Sequence, residues 1–576
     1  EEMTRGPKSL TIALREEIGD PSLFVGRQKD LDFFLHWVDL VGREIGQSQV
    51  ILARKRRGKT ALVQRLYNIL YSRADPKIIP FYFRVPEGKM STLELCESFM
   101  RSLLSQVLGF RLRKPEYIRS PLAWSELGPL LKDERALLHY YQQFELLQAE
   151  NKPGSAWELT REAGHHLSMT LDVRIIQIID EFQYLNTNIY RDEAYATRDE
   201  LATFYQKTGS SKVSPQIITG SYIGWLTQIV NHMVGRYFHY YLKGLPEHEA
   251  IDCVYRYATV FGQQVTEQSA SYMAAVCDND PYYIASLFQH PNQDKDLRDE
   301  ACIRATLNSV TNAGEGAVAN MWLEYINSAF KQIYDRIAKK VVLYLAYHEP
   351  KERTCDQILT DLNLKIDLEA LKERLQALAY ADLIRQVSDN RYEGLGDPIF
   401  AMVFQKLYAE SIDNIHPDQT RANIESELLA LRGRAAHYKG MAAEGRVSKK
   451  LVFLSHEDVT PADVILGPSA SLRFEPFVSA YDHVFELGSG DQVAVDIYCQ
   501  GKKEGPDLIV EVKDWKSKPG RPEIDTFCAL KEKLAPHLDR ATYFMFHSEV
   551  PLTKEMQAYV LEKGLWYSDG PCLSEY

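Results

Sequence analysis

Gly58, Lys59 and Thr60 stand where an apolar stretch, Val50-Ile51-Leu52, gives way to helical spacing. A strand that enters a helix through such a trio builds a phosphate cradle. Backbone N–H groups and the helix N-terminus face the anion, a lysine neutralises it, and a hydroxyl holds Mg²⁺. The expectation is Gly58 for close backbone approach, Lys59 for the β- and γ-phosphates of ATP, and Thr60 for the metal. Arg57 and Ala61 flank the trio and complete the nucleotide-contacting set drawn from the loop. Such loops carry a first glycine five positions before Gly58, and here that position is Ala53. Its methyl disfavours positive φ, so a strained loop and weaker nucleotide binding are expected if the left-handed region is required there.

Two acids supply the next part. RIIQIIDEFQYL (174–185) is an apolar strand that ends in Asp180 and Glu181. Placed beside Thr60, Asp180 completes Mg²⁺ coordination through water, and Glu181 polarises the water that attacks the γ-phosphate. A third strand, QIITGSYIGWL (216–226), puts Ser221 just past its end, either as a sensor of the γ-phosphate or as a plain turn residue. Arg236 is a candidate arginine finger for its own or a neighbouring subunit, the alternative being an ordinary surface arginine.

A second set of residues lies near the C-terminus. QVAVDIYCQG (492–501) places Asp496 on an apolar strand, and DLIVEVKDWKSK (507–518) puts Glu511 and Lys513 two apart, on one strand face. Asp496 and Glu511 can hold Mg²⁺ or Mn²⁺, while Lys513 orients a water for attack on a phosphodiester. The plainer readings are an exposed hairpin with a salt bridge, or a binding platform without catalysis. Lys502, Lys503, Lys516, Lys518 and Arg521 give this region a local positive field, and Trp515 is either a base-stacking platform or core.

The ordered motifs FVGRQKDLDFF (24–34), ARKRRGKTAL (53–62), IIDEFQYL (178–185) and IITGSYIGWL (217–226) resemble the archaeal-type ATPases, a branch of the STAND/AAA superfamily. GRYFHYYLKGLPEHEAI (235–251) and DNDPYYIASL (278–287) fit the same pattern, and the likeness spans roughly residues 20–410. It implies that Arg27 approaches the nucleotide. It also implies a contact at Pro281, although aspartates flank the asparagine where the family has a preceding glycine. The Asp496, Glu511 and Lys513 set resembles the PD-(D/E)xK, restriction-endonuclease-like fold over about 425–570, and that likeness implies Glu444 as a further catalytic acid on its first helix.

These residues need elements to hold them. The fold class expected is multidomain α/β, with a P-loop AAA/STAND ATPase core, a helical lid, a winged helix and a C-terminal restriction-endonuclease-like α/β domain. The expected boundaries are an N-terminal arm at 1–23, the ATPase domain at 24–244 with a helical insertion at 85–170, and the lid at 245–335. The winged helix follows at 336–409, a linker at 410–427 and the nuclease-like domain at 428–576. Within the insertion, HYYQQF (139–144) is expected to be core. The winged helix is read from helix, turn, helix and a hairpin tipped by Asp389-Asn390. Its second helix, near 367–379, offers Lys372 and Arg374 among acids such as Glu369 and Glu373, so specific DNA reading is not expected there. After the linker, a basic helix carries Arg432, Arg434, Lys439, Arg446, Lys449 and Lys450 around Glu444.

Bulk properties bound the rest. With 576 residues the chain is too long for one core. A composition of 45% hydrophobic and 25% charged residues is that of an ordinary soluble protein. No apolar run reaches the roughly 20 residues of a membrane span, and the first 22 residues lack the apolar core of a secretory signal. The 8 cysteines lie far apart with no CxxC pair, which suits a reducing cytoplasm and opposes a zinc site. A net charge of -12 means that any nucleic-acid surface is local. Together these readings predict an ATP-regulated, metal-dependent nuclease acting on DNA, with RNA as the alternative to DNA. It is expected to form a homo-oligomer, to answer to a protein trigger and, by family analogy, to serve in defence against phage or mobile elements. The rival is a non-cleaving ATP-dependent switch or scaffold.

Overall fold

The structure is a computed structural model. It describes residues 10–221, 226–227, 229–230, 232–233, 235–291, 295–312, 316–330, 336–348, 351–388, 390–413, 447, 451, 467, 477–487, 492–501, 505–513, 519–548 and 550–569. The chain divides into two compact units, Glu1–Gln264 with Cys277–Glu427, and Val265–Val276 with Leu428–Tyr576.

The first unit is built on an all-parallel five-stranded sheet. Its strands are β1 (Ser48–Leu52), β2 (Ile78–Arg84), β3 (Arg174–Asp180), β4 (Gln216–Thr219) and β5 (Tyr237–Tyr241), in the spatial order β2-β3-β4-β1-β5. Burial on both faces explains the near-continuous Val/Ile content of β1, β3 and β4. The register pairs Ile51 with Thr219 and Ile218 with Ile179. The C-terminal ends of β1, β4 and β3 are therefore level. Helix α1 (Gln28–Gly42) buries Leu31, Phe34, Trp37, Val38 and Val41. Helix α2 (Lys59–Arg73) buries Leu62, Leu66 and Leu70 of the stripe read from sequence.

Between β2 and β3 run helices that include Thr92–Arg111, Arg135–Ala149 and Pro153–Leu171. Ser91 and Glu94 close a reciprocal cap at the start of the first. Tyr140, Tyr141 and Phe144 are buried there, and Tyr141 stacks on Trp124 at 4.6 Å between ring centres. Beyond β5 come α3 (Glu247–Phe261) and α4 (Pro281–Gln289). From 336 the order is helix Arg336–Tyr347, strand Arg353–Thr354, helices Cys355–Asp361 and Leu368–Tyr380, and a hairpin of Arg385–Ser388 with Arg391–Glu393. The three short strands form one sheet, and α5 (Pro398–Asp413) follows. Asp389, at the expected tip, lies outside the described residues.

The second unit holds a mixed five-stranded sheet of β6 (Phe477–Glu486), β7 (Gln492–Gly501), β8 (Asp507–Lys513), β9 (Thr542–Ser548) and β10 (Trp566–Asp569), in that order. The first two pairings are antiparallel and the last two parallel. Helix Arg521–Leu534 lies between β8 and β9, and Lys554–Glu562 between β9 and β10, as parallel crossovers require. Alternate residues of β8 feed two apolar clusters: Leu508, Val510 and Val512 in one, Ile509 in the other. Glu444 and the six bases around it lie outside the described residues. Among the described residues, no helix is long and apolar enough to cross a membrane.

Candidate functional site

The turn from β1 into α2 has the form of a phosphate loop. Gly58 caps α2 at φ 86, and no side chain caps the helix, an arrangement that suits an anion at its N-terminus. Lys59 lies folded back over the loop, its Nζ donating to the carbonyls of Ala53 at 2.6 Å and Arg54 at 2.9 Å. Burial pulls the Lys59 ammonium down to about 8, against the opposing charges of Glu181 and Asp180. The strain expected at Ala53 does not arise, because Ala53 is not among the residues with positive φ. Arg56 is, at φ 69, and its guanidinium sits 5.0 Å over the ring of Tyr282. Ala61 is half-buried in the first turn of α2.

The level ends of β1, β4 and β3 bring Thr60 to Asp180, whose Oδ2 accepts the Thr60 hydroxyl at 2.8 Å. The same oxygen accepts the Tyr82 hydroxyl at 3.1 Å. Oδ1 accepts the Glu181 N–H at 3.0 Å and the hydroxyl of Thr219. Glu181 takes a left-handed backbone, φ 56, which turns its side chain off the strand. Its carboxylate accepts Ser221 Oγ at 2.6 Å and Gln183 Nε2 at 2.6 Å. Ser221 is thus placed on the acid. Tyr82 and Thr219 went unread in the sequence, although a hydroxyl residue ending the apolar run Ile217-Ile218 was a usable signal for the second.

Arg27 is a buried clamp on the loop. Its guanidinium donates to the carbonyls of Arg57 at 2.8 Å and Lys243 at 2.7 Å, and it pairs with Asp30 at 3.3 Å. Burial lowers its pKa, with Asp30 opposing. The loop's basic run is neutralised by acids that follow α3. Arg57 lies 3.2 Å from Asp280 and 3.3 Å from Asp278. Arg54 pairs with Asp278 at 3.5 Å and with the fully buried Asp397, and Lys55 pairs with Glu324 at 3.5 Å. Asp280 also caps α4 through Tyr282 N–H at 2.8 Å, which puts Pro281 at the first helical position. Burial raises the Asp280 pKa, and Arg57 opposes the rise. Arg236 is not brought to this site. Tyr237 pairs with Ser48, so Arg236 is exposed beyond the N-terminal end of β1, with all five residues of that strand, roughly 17 Å, between it and the loop.

In the second unit, the β7–β8 pairing runs from Cys499 opposite Leu508 to Ile497 opposite Val510. One step on, the Asp496 carboxylate accepts the Val512 N–H at 2.8 Å, which sets it beside Glu511. Lys513 pairs with Glu511. Burial raises the Asp496 pKa. Burial, then the charge of Asp496, raises that of Glu511. Two hard oxygen donors forced together in this way suit a divalent cation such as Mg²⁺ or Mn²⁺. Among the described residues no group of three or more metal-binding side chains gathers. Lys502, Lys503, Trp515, Lys516 and Lys518 lie outside the described residues.

No family profile and no curated protein matches the chain. Three solved structures show what it is similar to. The Walker-type ATPase paby2304 of Pyrococcus abyssi aligns with TM-score 0.46 and 16% identity, covering 66% of this chain and 96% of its own. The ADP form of the Aeropyrum pernix ORC2 protein gives 0.34 and 11%, over 73% and 97%. The Thermotoga maritima RuvB Holliday junction branch migration motor gives 0.31 and 12%, over 66% and 96%. At such scores the likenesses carry no weight for activity, which has to be read from the residues themselves.

Proposed function

We propose that the first unit binds and hydrolyses ATP with Mg²⁺, and that the second is a metal-dependent nuclease acting on DNA, gated by nucleotide state. The observation that carries this reading is the meeting of Lys59, Thr60, Asp180 and Glu181 beside an uncapped helix N-terminus. Lys59 leaves the carbonyls of Ala53 and Arg54 for the β- and γ-phosphates. Thr60 and Asp180 hold Mg²⁺, which when bound offsets phosphate charge. Glu181 accepts a proton from the attacking water once Ser221 or Gln183 yields a carboxylate oxygen. Arg57 adds positive charge on leaving Asp278 and Asp280, which loosens the turn before α4 and its cap. Residues 245–335 then serve as a helical lid and 336–409 as a winged helix that moves with it.

In the second unit, Asp496 and Glu511 would hold Mg²⁺ or Mn²⁺, which when bound polarises the scissile phosphate. Lys513 orients the attacking water. A protein trigger and assembly into a homo-oligomer are consistent with the exposed Arg236, free to meet a neighbouring subunit.

The test is cleavage of plasmid, linear and single-stranded DNA, and of RNA, with either metal and with or without ATP. Lys513→Ala should lose cleavage and keep ATP binding, whereas Lys59→Ala should lose ATP binding. Normal ATP hydrolysis by Lys59→Ala would refute the phosphate site. The second reading is a non-cleaving ATP-dependent switch or scaffold that binds a protein or nucleic-acid partner. ATP hydrolysis without cleavage under every condition would select it.

A further inference from the structure

Asp180 is satisfied by a chain of hydrogen bonds that starts outside the sheet. Thr11 to Glu17 run along α2: Ala13 and Leu14 N–H donate to Asn68 Oδ1 at 3.0 and 2.8 Å, and Glu16 pairs with Arg65 at 2.7 Å. The last link, Glu17 N–H, donates to Gln64 Oε1 at 2.8 Å. A backbone N–H has no other use for Gln64 than as acceptor, so the amide orientation is fixed by that bond. Gln64 Nε2 therefore faces the Tyr82 oxygen, 3.3 Å away, as donor. A neutral phenol carries one proton, and with its lone pair taken by Gln64 that proton can only go to Asp180 Oδ2, 3.1 Å away. All three side chains are buried.

We propose that the N-terminal strap, through Gln64 and Tyr82, is a positioning relay that aims Asp180 at the Mg²⁺ site, with Tyr82 and Gln64 as positioning residues. The proposal rests on the reading of 53–60 as a nucleotide site. Oδ2 is the oxygen shared with Thr60, so the Tyr82 proton holds that edge of the carboxylate beside the Thr60 hydroxyl, where the two residues would hold Mg²⁺. The strap contributes the polarity of the relay: with the Gln64 amide reversed, Tyr82 would turn its proton away and Oδ2 would keep one donor in place of two.

The experiment uses the full chain and a fluorescent ADP, titrated with Mg²⁺ and separately in EDTA. Tyr82→Phe preserves shape and removes the proton donor. Gln64→Glu keeps the acceptor for Glu17 N–H but presents a second acceptor to Tyr82, drawing its proton away from Asp180. Each variant should raise the Mg²⁺ concentration for half-maximal binding by about tenfold, the size of one lost hydrogen bond to a charged group. Binding in EDTA should stay within about twofold of wild type. A Mg²⁺ requirement unchanged in Tyr82→Phe overturns the relay and leaves the nucleotide site standing. Equal loss with Mg²⁺ and in EDTA reduces Tyr82 to a packing role, which also overturns it. Wild-type protein that binds no nucleotide in either condition removes the site itself, and the relay with it.

Discussion

Arg57 reaches from the phosphate loop to Asp280, with Nε 3.2 Å from the carboxylate and both side chains buried. The pair joins the loop expected to hold phosphate to the cap of α4, so a nucleotide phosphate and Asp280 compete for one guanidinium. Asparagine caps a helix as well as aspartate does. Asp280→Asn should therefore keep α4 and remove only the competing charge. ATP affinity should rise about three- to tenfold, because the closed arrangement that opposes binding has been weakened. Calorimetric titration checks this; unchanged or weaker binding would mean that phosphate does not recruit Arg57.

Gly26 makes possible the contact that holds α1 against α3. Its φ is 68, and a Cβ there would lie 2.5 Å from Glu249 Oε2. That carboxylate accepts the N–H groups of Arg27 at 2.7 Å and Gln28 at 3.2 Å, capping α1 from another helix. Gly26→Ala imposes left-handed strain and displaces the cap at once. A loss of about 2 to 3 kcal/mol is expected by denaturant titration. Arg27 would lose its hold on the Arg57 carbonyl as well, so nucleotide binding should fall together with stability. A stable variant with normal binding would show that the junction tolerates a shifted Glu249.

What could be read from the sequence follows from the range of each signal. Gly58, Lys59 and Thr60 declare themselves because a loop between strand and helix is local. Asp180 and Glu181 do so because an apolar run ends on them. Tyr82 was invisible, since its role depends on β2 lying next to β3, and strand order is not written in either segment. The pairing of Arg54 with Asp397 spans 343 residues, and DNDP (278–281) read as a departure from a family motif before it read as a set of counter-charges. The expected strain moved from Ala53 to Arg56 because the loop turns left-handed three residues later than the motif suggests. Glu444, inferred only by resemblance, falls on a stretch outside the described residues.

Lys59 gives a pH dependence with a definite sign. Its folded pKa of about 8 lies below the roughly 10.4 of an unfolded lysine. Below pH 8 both states are charged and the folded chain bears the full burial cost. Between about 8 and 10.4 the folded state sheds the proton first, so the nucleotide-free protein gains stability as pH rises. A bound triphosphate needs the ammonium and restores its proton. ATP affinity should therefore fall above pH 8, and binding near pH 8.5 (roughly midway in the early part of that window) should take up about half a proton or more. Titration calorimetry in buffers of different ionisation enthalpy measures the uptake directly. Zero uptake in that range would mean that Lys59 stays charged in the free loop.

Asp496 and Glu511 predict a trade between stability and metal binding. Each is held partly out of water, and the charge of Asp496 adds to the burial that raises the Glu511 pKa. In Asp496→Asn the amide oxygen still accepts the Val512 N–H, so the fork between β7 and β8 keeps its geometry. One of two like charges is gone, and the metal-free unit should gain about 1 kcal/mol at neutral pH. The same change halves the anionic charge offered to a cation. Millimolar Mn²⁺ should raise the melting temperature of wild type by several degrees and leave Asp496→Asn unmoved. Glu511→Gln should behave alike, whereas Lys513→Ala should bind metal at least as tightly as wild type, because Glu511 loses its internal cation. Metal stabilisation that survives both acid substitutions would place the cation elsewhere and remove the chemical basis for cleavage at this hairpin.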